Sequence, residues 1–162
     1  MGMLDNRVAL VTGAGQGVGQ GIALALAAEG ARVAVTGRTL SKLEDTVGQI
    51  RARGGDALPV VCEVKSLESL SSCVQTVVGH YGGINILVNN AHEVPIGVLF
   101  AVSDESFEAG FQSGPLATFR LMKLCYPYLK GDGSIVNLSS SATKRWDMSG
   151  YGASAAPDPF DF

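Results

Sequence analysis

The sequence predicts an α/β protein with a doubly wound parallel sheet of about five strands and four helices. Short β-branched runs alternate with longer segments of helical periodicity, as in consecutive β-α-β units. Most of these runs are apolar throughout, which is typical of strands that helices cover on both faces. A glycine-rich turn joins the first run to the first helical segment. At 162 residues the chain is long enough for one domain with a buried core and too short for two.

Five strands and four helices are predicted in alternation. The strands are Val8–Val11, Arg32–Thr36, Ala57–Cys62, Asn85–Val88 and Ser134–Leu138. The first helix runs from about Gly17 to Glu29, with Gly30 as its C-cap, and the second opens on the capping-box spacing of Ser41 and Glu44 and stops at Gly54. The third covers Leu67–Tyr81, and the fourth spans about 103–130 with an interruption at Gly114-Pro115.

Composition excludes several classes of function. Apolar residues make up 46% and charged residues 17%, an ordinary globular balance, and the net charge of −3 predicts no nucleic-acid surface. The N-terminus has no signal-peptide pattern, and we expect no membrane association. The three cysteines are odd in number and form no CxxC pair, so we expect reduced thiols, no metal site and a cytoplasmic location.

The strongest motif is the glycine-rich turn after the first strand. It has the spacing TGxxxGxG, through Thr12, Gly13, Gly17 and Gly19. Glycines allow a tight turn and let a pyrophosphate approach the start of a helix, whose dipole favours the anion. The turn therefore predicts a Rossmann-type nucleotide-binding domain. The predicted cofactor contacts in it are Thr12, Gly13, Gln16, Gly17, Val18 and Gly19.

A methyltransferase loop of the GxGxG type is an alternative interpretation of the same turn. Gly13, Gly15 and Gly17 satisfy that spacing. Such a site generally needs an acidic residue at the end of the second strand to hold the ribose hydroxyls. The sequence has Gly37-Arg38 there instead, which argues against it.

Three motifs in order resemble the short-chain dehydrogenase/reductase family over about residues 4–154. They are the TGxxxGxG turn, Asn89-Asn90-Ala91 after the fourth strand, and the serine-rich end of the fifth strand. The resemblance implies that the glycines bind the cofactor's pyrophosphate. It also implies that Asn89 and Ala91 support the sheet and line the adenosine and nicotinamide side.

The end of the second strand favours NADP over NAD, with NAD as the alternative. Gly37 stands where NAD-preferring members of the family carry an aspartate, and Arg38 follows it. Without a carboxylate at that place, an arginine can make charge-assisted bonds to the 2′-phosphate. Glu63, which ends the third strand, takes the place of the family's aspartate that contacts adenine.

The resemblance assigns catalytic roles to Ser140 and Tyr151, and it also shows what this sequence lacks. The family's serine holds the substrate oxygen, and its tyrosine works with a lysine four residues later that lowers the tyrosine's pKa. Ser140 and Tyr151 match the first two, but Ala155 stands in the place of the lysine. If the tyrosine position lies three residues later, it falls on Ser154, with Asp158 for the lysine.

A third catalytic group of the family is also absent. Its helical asparagine falls on Gly114, next to Ser113, and the motif that usually reads Asn-Asn-Ala-Gly ends on His92. We expect Ser113 to face solvent and His92 to be a loop residue without a catalytic role. The alternatives are that Ser113 positions a water and that His92 carries a proton.

We therefore expect an NADP(H)-dependent oxidoreductase acting on a small carbonyl or alcohol substrate. The alternative is a catalytically inactive nucleotide-binding module or a truncated fragment. Residues 1–154 form the predicted domain and 155–162 an irregular tail, because two prolines interrupt the tail and no further strand follows. With the second half of the fold incomplete, Leu121, Leu124 and Tyr128 of the fourth helix should lose cover, and we expect a homo-oligomer.

Overall fold

The computed structural model describes residues 2–94, 99–129 and 131–139. Ser140, Tyr151 and the predicted tail at 155–162 lie outside the described residues. The strands are β1 (Val8–Val11), β2 (Arg32–Gly37), β3 (Ala57–Val61), β4 (Ile86–Asn89) and β5 (Ser134–Asn137). The helices are α1 (Gly17–Ala28), α2 (Leu40–Ala52), α3 (Leu67–Tyr81), α4 (Asp104–Phe111) and α5 (Ala117–Cys125).

The five strands form one parallel sheet in the order β3-β2-β1-β4-β5. The chain runs outward from β1 through β2 to β3, and it then returns to β4 on the other side of β1. The winding direction therefore reverses between β1 and β4. In such sheets a crevice opens at the carboxyl ends of the strands where the order reverses. The doubly wound parallel fold that the sequence predicts is confirmed.

Helices cover the two faces of the sheet in pairs. Val8 and Leu10 of β1 pack with residues of α3 and α5, whereas Ala9 and Val11 pack with residues of α1 and α2. All four side chains are at most 2% exposed. This burial on both faces explains why β1 is apolar throughout, since successive side chains of a strand point to opposite sides.

Predicted and observed boundaries of the strands and of the first three helices differ by at most two residues, and those of β1 and α3 agree. Gly30 takes the left-handed conformation just after α1, with φ of 92°, as expected near a helix end. The predicted capping box of the second helix is wrong. α2 begins at Leu40, its N-cap is Thr39, and the N-cap side chain makes no capping bond.

The predicted fourth helix is two α-helices joined by a π-helical turn. The turn covers Gln112–Leu116 and contains Pro115. Proline has no N–H to donate, and its ring crowds the preceding turn, so the regular bonding pattern changes there. α5 then ends at Cys125, short of the predicted Lys130, because Pro127 cannot continue the bonding pattern.

The expectation that Leu121 loses cover is wrong, because it is 1% exposed and packs in the core with α3. Leu124 is also packed against that core. Tyr128, the third residue expected to lose cover, is 40% exposed, as predicted. Other exposed apolar side chains of this region are Phe107, Phe111, Phe119 and Tyr126. On the edge strand β5, Ile135 and Val136 are 42% and 48% exposed.

All three cysteines are free, buried and part of the core layer between the sheet, α3 and α5. Burial raises the pKa of Cys125 to about 12. Among the described residues, no cluster of three or more His, Cys, Asp or Glu side chains is placed to hold a metal ion. No helix in this part of the chain is long and apolar enough to cross a membrane.

Candidate functional site

A cleft of ≈ 360 Å³ opens at the carboxyl ends of β1 to β4, where the winding direction reverses. Its volume lies within the range of small-molecule and cofactor sites. Four loops line it: the glycine-rich turn after β1, Gly37 and Arg38 after β2, Cys62 to Val64 after β3, and Asn90 to Glu93 after β4. Ser113 of the π-helical turn and the start of α2, at Thr39, Lys42 and Leu43, also line it.

The glycine-rich turn needs glycine at Gly13 and Gly17 because both take left-handed backbone angles. Their φ values are 63° and 58°, a region that residues with a Cβ rarely adopt. A Cβ on Gly17 would meet no atom within 4 Å, so the space in front of it is open. The turn thus leaves free room at the point where α1 begins.

The start of α1 is suited to bind an anion. Its N-cap, Gln16, is extended and makes no side-chain capping bond, and the first turn contains no acidic residue. The first backbone N–H groups of a helix have no partner within the helix, and the dipole places positive charge there. Val18, at 66% exposure, faces the cleft mouth. Together with the open space at Gly17, these features fit a pyrophosphate.

Thr12 holds the turn from behind. Its hydroxyl accepts hydrogen bonds from the backbone N–H of Asn90 at 2.9 Å and of Ala91 at 3.0 Å, and it donates to the carbonyl of Val88 at 3.3 Å. Thr12 is 2% exposed. It therefore ties β1 to the end of β4 and supports the cleft without lining it.

Asn90, which the sequence analysis did not single out, is the asparagine that lines the cleft. Its side-chain amide donates to the carbonyls of Thr12 at 2.9 Å and Gly13 at 3.3 Å, and so fixes the glycine-rich turn. Gly19 packs so closely behind the turn that a Cβ there would overlap Gly13 and Asn90. Gly19 is thus required for close packing of α1 onto the turn.

Asn89 lies at the end of β4 and supports the sheet. Its side-chain amide donates to Oδ1 of Asn137 at 2.8 Å, which links β4 to β5, and it is 6% exposed. Asn89 is not part of the cleft lining, whereas its neighbours Asn90 and Ala91 are. Of the two roles expected for Asn89, only support of the sheet matches its position.

A cluster of four charged residues, which we call the charged cluster, lies at the far end of the cleft. It consists of Arg38, Glu63, Lys65 and Glu93, which come from the loops after β2, β3 and β4. The Arg38 guanidinium lies 2.8 Å from one carboxylate oxygen of Glu93 and 3.9 Å from Glu63. Lys65 Nζ donates to the other oxygen of Glu93 at 3.0 Å. The bond from Lys65 and the charges of Lys65 and Arg38 lower the pKa of Glu93.

Lys42 and Gln16 form a second polar pair at the cleft. Lys42 Nζ donates to the Gln16 side-chain oxygen at 2.5 Å, which links α2 to the turn before α1. Both residues line the cleft and are exposed. The ammonium group of Lys42 is therefore a further cation within reach of an anion in the cleft.

Ser113 is buried, so the expectation that it faces solvent is wrong. It is 1% exposed, its hydroxyl accepts from the backbone N–H of Glu93 at 2.9 Å, and it donates to the carbonyl of Gly110 at 3.2 Å. At the next residue, a Cβ on Gly114 would lie 2.9 Å from the His92 ring. The imidazole thus stands in the space beside the helix that a larger residue at 114 would enter.

Of the predicted cofactor contacts, Gly13, Gln16, Gly17, Val18, Gly19, Arg38, Glu63 and Ala91 line the cleft, and Thr12 and Asn89 lie behind it. Sequence reasoning missed Asn90, Lys42, Lys65 and Glu93. Asn90, Lys65 and Glu93 share one signal, which is their position in loops that follow parallel strands, because such loops meet at one edge of the sheet. Lys42 lies within α2 and carries no such signal.

Comparison with known proteins gives one family. The model of the family described as short chain dehydrogenase matches residues 7–156. The 12α-hydroxysteroid dehydrogenase of a Clostridium species is 38% identical over 151 residues, which cover 88% of this chain and 58% of that protein. Versicolorin reductase 1 of Aspergillus parasiticus is 35% identical over 139 residues, with coverage of 85% and 53%.

Solved structures agree with these relatives. A crystal structure of actinorhodin polyketide ketoreductase with NADPH matches with a TM-score of 0.87 and 33% identity, over 96% of this chain and 61% of that one. The chain therefore spans a little over half the length of the curated relatives it matches.

Proposed function

The chain belongs to the short-chain dehydrogenase family, and on that premise we propose that its cleft binds NADP(H) for the interconversion of a carbonyl compound and an alcohol. The observation that carries the proposal is the uncapped start of α1 behind an open glycine-rich turn. A dinucleotide's pyrophosphate needs such a combination of free N–H groups, helix dipole and space.

Arg38 supports NADP as the preferred cofactor. It lines the cleft after β2, and the residue before it, Gly37, offers no carboxylate to bond a ribose 2′-hydroxyl. A guanidinium can form charge-assisted bonds to a 2′-phosphate. The NADPH in the structure of the ketoreductase relative is consistent with this choice.

The reaction we propose is a hydride transfer with an accompanying proton transfer. When bound, the nicotinamide supplies or accepts the hydride. Ser140 would hold the substrate oxygen by a hydrogen bond, and Tyr151 would exchange the proton with it. Both residues lie outside the described part of the chain, and their roles follow from the family resemblance.

A nucleotide-binding protein without turnover is the second candidate function. The sequence has Ala155 where the family's lysine is expected and Gly114 where its asparagine is expected. The His92 ring lies beside Gly114, 2.9 Å from where a Cβ at that position would stand. This candidate shares the nucleotide site with the first and differs only in the reaction.

Two experiments test the site and the reaction, and the second of them separates the two candidates. Calorimetric titration with NADPH, NADH and S-adenosylmethionine tests the site, and we expect NADPH to bind most tightly and S-adenosylmethionine not at all. Oxidation of NADPH in the presence of a panel of aldehydes and ketones then tests the reaction. Binding of S-adenosylmethionine alone would overturn the proposed cofactor class.

A further inference from the structure

The charged cluster contains as many negative side chains as positive ones. Arg38 and Lys65 are opposed by Glu63 and Glu93, and the Glu93 carboxylate is ion-paired with both cations, at 2.8 and 3.0 Å. Its two carboxylate oxygens are divided between them, one to each. The guanidinium that faces the cleft is therefore already neutralised by a carboxylate from the loop after β4.

The position of Glu93 is set from the interior of the protein. Its backbone N–H donates to the hydroxyl of Ser113, which is buried and in turn donates to the carbonyl of Gly110. Lys65 is also anchored, because its carbonyl accepts from Arg120 of α5 at 3.2 Å. The backbone of Glu93 is thus fixed by Ser113, and its carboxylate is held by two cations.

We propose that Glu93 is a specificity-determining residue that competes with the 2′-phosphate of NADPH for Arg38. This inference rests on the proposed function, because it concerns the same nucleotide site. A ribose phosphate carries nearly two negative charges at neutral pH. It must displace the Glu93 carboxylate or bind beside it against like charge, whereas the 2′-hydroxyl of NADH meets neither cost. Glu93 therefore limits the preference for NADPH that Arg38 provides.

The test compares two ligands that differ only in the 2′-phosphate, adenosine 2′,5′-bisphosphate and adenosine 5′-monophosphate. Their dissociation constants are measured by calorimetry for the unmutated chain, Glu93→Gln and Glu93→Ala. Glu93→Gln keeps the shape of the side chain, and Glu93→Ala removes the amide that could still hold Arg38. Glu44→Gln, an exposed carboxylate of α2 outside the cleft lining, is the control with the same change in net charge.

We expect both Glu93 variants to bind the bisphosphate about two- to fivefold more tightly, the upper part of the range expected when an exposed ion pair is removed. Binding of the monophosphate and of NADH should change less than twofold, and Glu44→Gln should change neither ligand. The measure is the dissociation constant of the monophosphate divided by that of the bisphosphate. If this ratio is unchanged or reduced in both Glu93 variants, the proposed competition is overturned. If no variant binds either adenosine nucleotide or either dinucleotide, the proposed nucleotide site itself is wrong, and the competition falls with it.

Discussion

The hydroxyl of Thr12 accepts the backbone N–H groups of both Asn90 and Ala91, so one buried side chain fixes two consecutive residues at the end of β4. The same hydroxyl donates to Val88. It connects the two strands between which the cleft opens. The stability of the cleft should therefore depend on an oxygen at position 12.

Thr12→Val should lower the free energy of unfolding by more than about 2 kcal/mol, because buried N–H groups without an acceptor cost about 1–3 kcal/mol each. Thr12→Ser keeps the oxygen and should cost about 1 kcal/mol for the lost methyl group. Urea denaturation measures both. Hydrogen exchange at Asn90 and Ala91 should accelerate in the valine variant only, and equal exchange in the two variants would contradict the assigned bonds.

Gly17→Ala should destabilise the protein by about 1–2 kcal/mol, since the left-handed backbone angle at Gly17 is unfavourable for a residue with a Cβ. It should also weaken NADPH binding, because the new methyl group enters the open space of the turn. Gly21→Ala is the matched control: it lies in the same helix, and its Cβ also meets nothing. That control should stabilise the helix by about 0.5–1 kcal/mol. If the midpoint of thermal unfolding shifted in the same direction for both variants, the left-handed backbone angle at Gly17 would not be the cause of the destabilisation.

Arg38→Ala should weaken NADPH binding about tenfold, the lower end for a charge-assisted bond, because Glu93 already competes for the guanidinium. Binding of NADH should change little. Arg53→Ala, an exposed arginine after α2 that does not line the cleft, provides the control for lost positive charge. Fluorescence or calorimetric titration with NADPH and with NADH gives the ratio of their dissociation constants. An unmutated chain that binds NADPH and NADH equally well would rule out the NADP preference.

The 162-residue chain should bind nucleotide but reduce carbonyl compounds slowly or not at all. Tyr151 has no lysine four residues later to favour its ionised form, and positioned acid–base groups each contribute about a hundred- to ten-thousandfold to rate. Ala155→Lys alone should not restore turnover, because Gly114 still lacks the amide. The measurement is NADPH oxidation with diketones and aldehydes between pH 6 and 10. Turnover near one per second at pH 7 would mean that His92 or Ser113 supplies the missing chemistry.

Association at micromolar concentration is expected from the aromatic side chains exposed along α4 and α5. Phe111 and Phe119 are 49% and 47% exposed, and Tyr126 is 68% exposed. Exposed apolar patches of this kind favour contacts between proteins. Light scattering should detect oligomers or aggregates, and Phe111→Gln combined with Phe119→Gln should reduce them. A monomer at these concentrations would contradict the prediction.

The fold could be predicted because its signals are local. The apolar run at Val8–Val11, the glycines after it and the helical periodicity that follows each depend on a few neighbouring residues. The helix starts were harder, because Thr39 and Ser41 both suit an N-cap and only tertiary packing decides between them. The interruption at Pro115 was predicted, but the π-helical turn that accommodates it was not.

The site could be predicted only in part, because its contacts join distant loops. Arg38 and Glu93 are 55 positions apart, and nothing in the spacing of either motif indicates that their side chains meet. Ser113 was expected in solvent because serine usually is exposed, and its burial results from the π-helical turn that brings it toward Glu93. The glycine-rich turn was found since its function imposes a fixed local spacing.

The reactivity of the three buried thiols reports when the core around them opens to solvent. Cys62, Cys73 and Cys125 all belong to one layer of the core, and the chain has no other cysteine. A buried thiol reacts with a labelling reagent only when the structure around it opens. The rate of thiol labelling therefore measures how often the α3–α5 side separates from the sheet, without the addition of any probe. Because Cys62 also lines the cleft, a bound nucleotide should slow its labelling more than that of Cys125. The two labelling rates thus report nucleotide binding and opening of the core in the same chain.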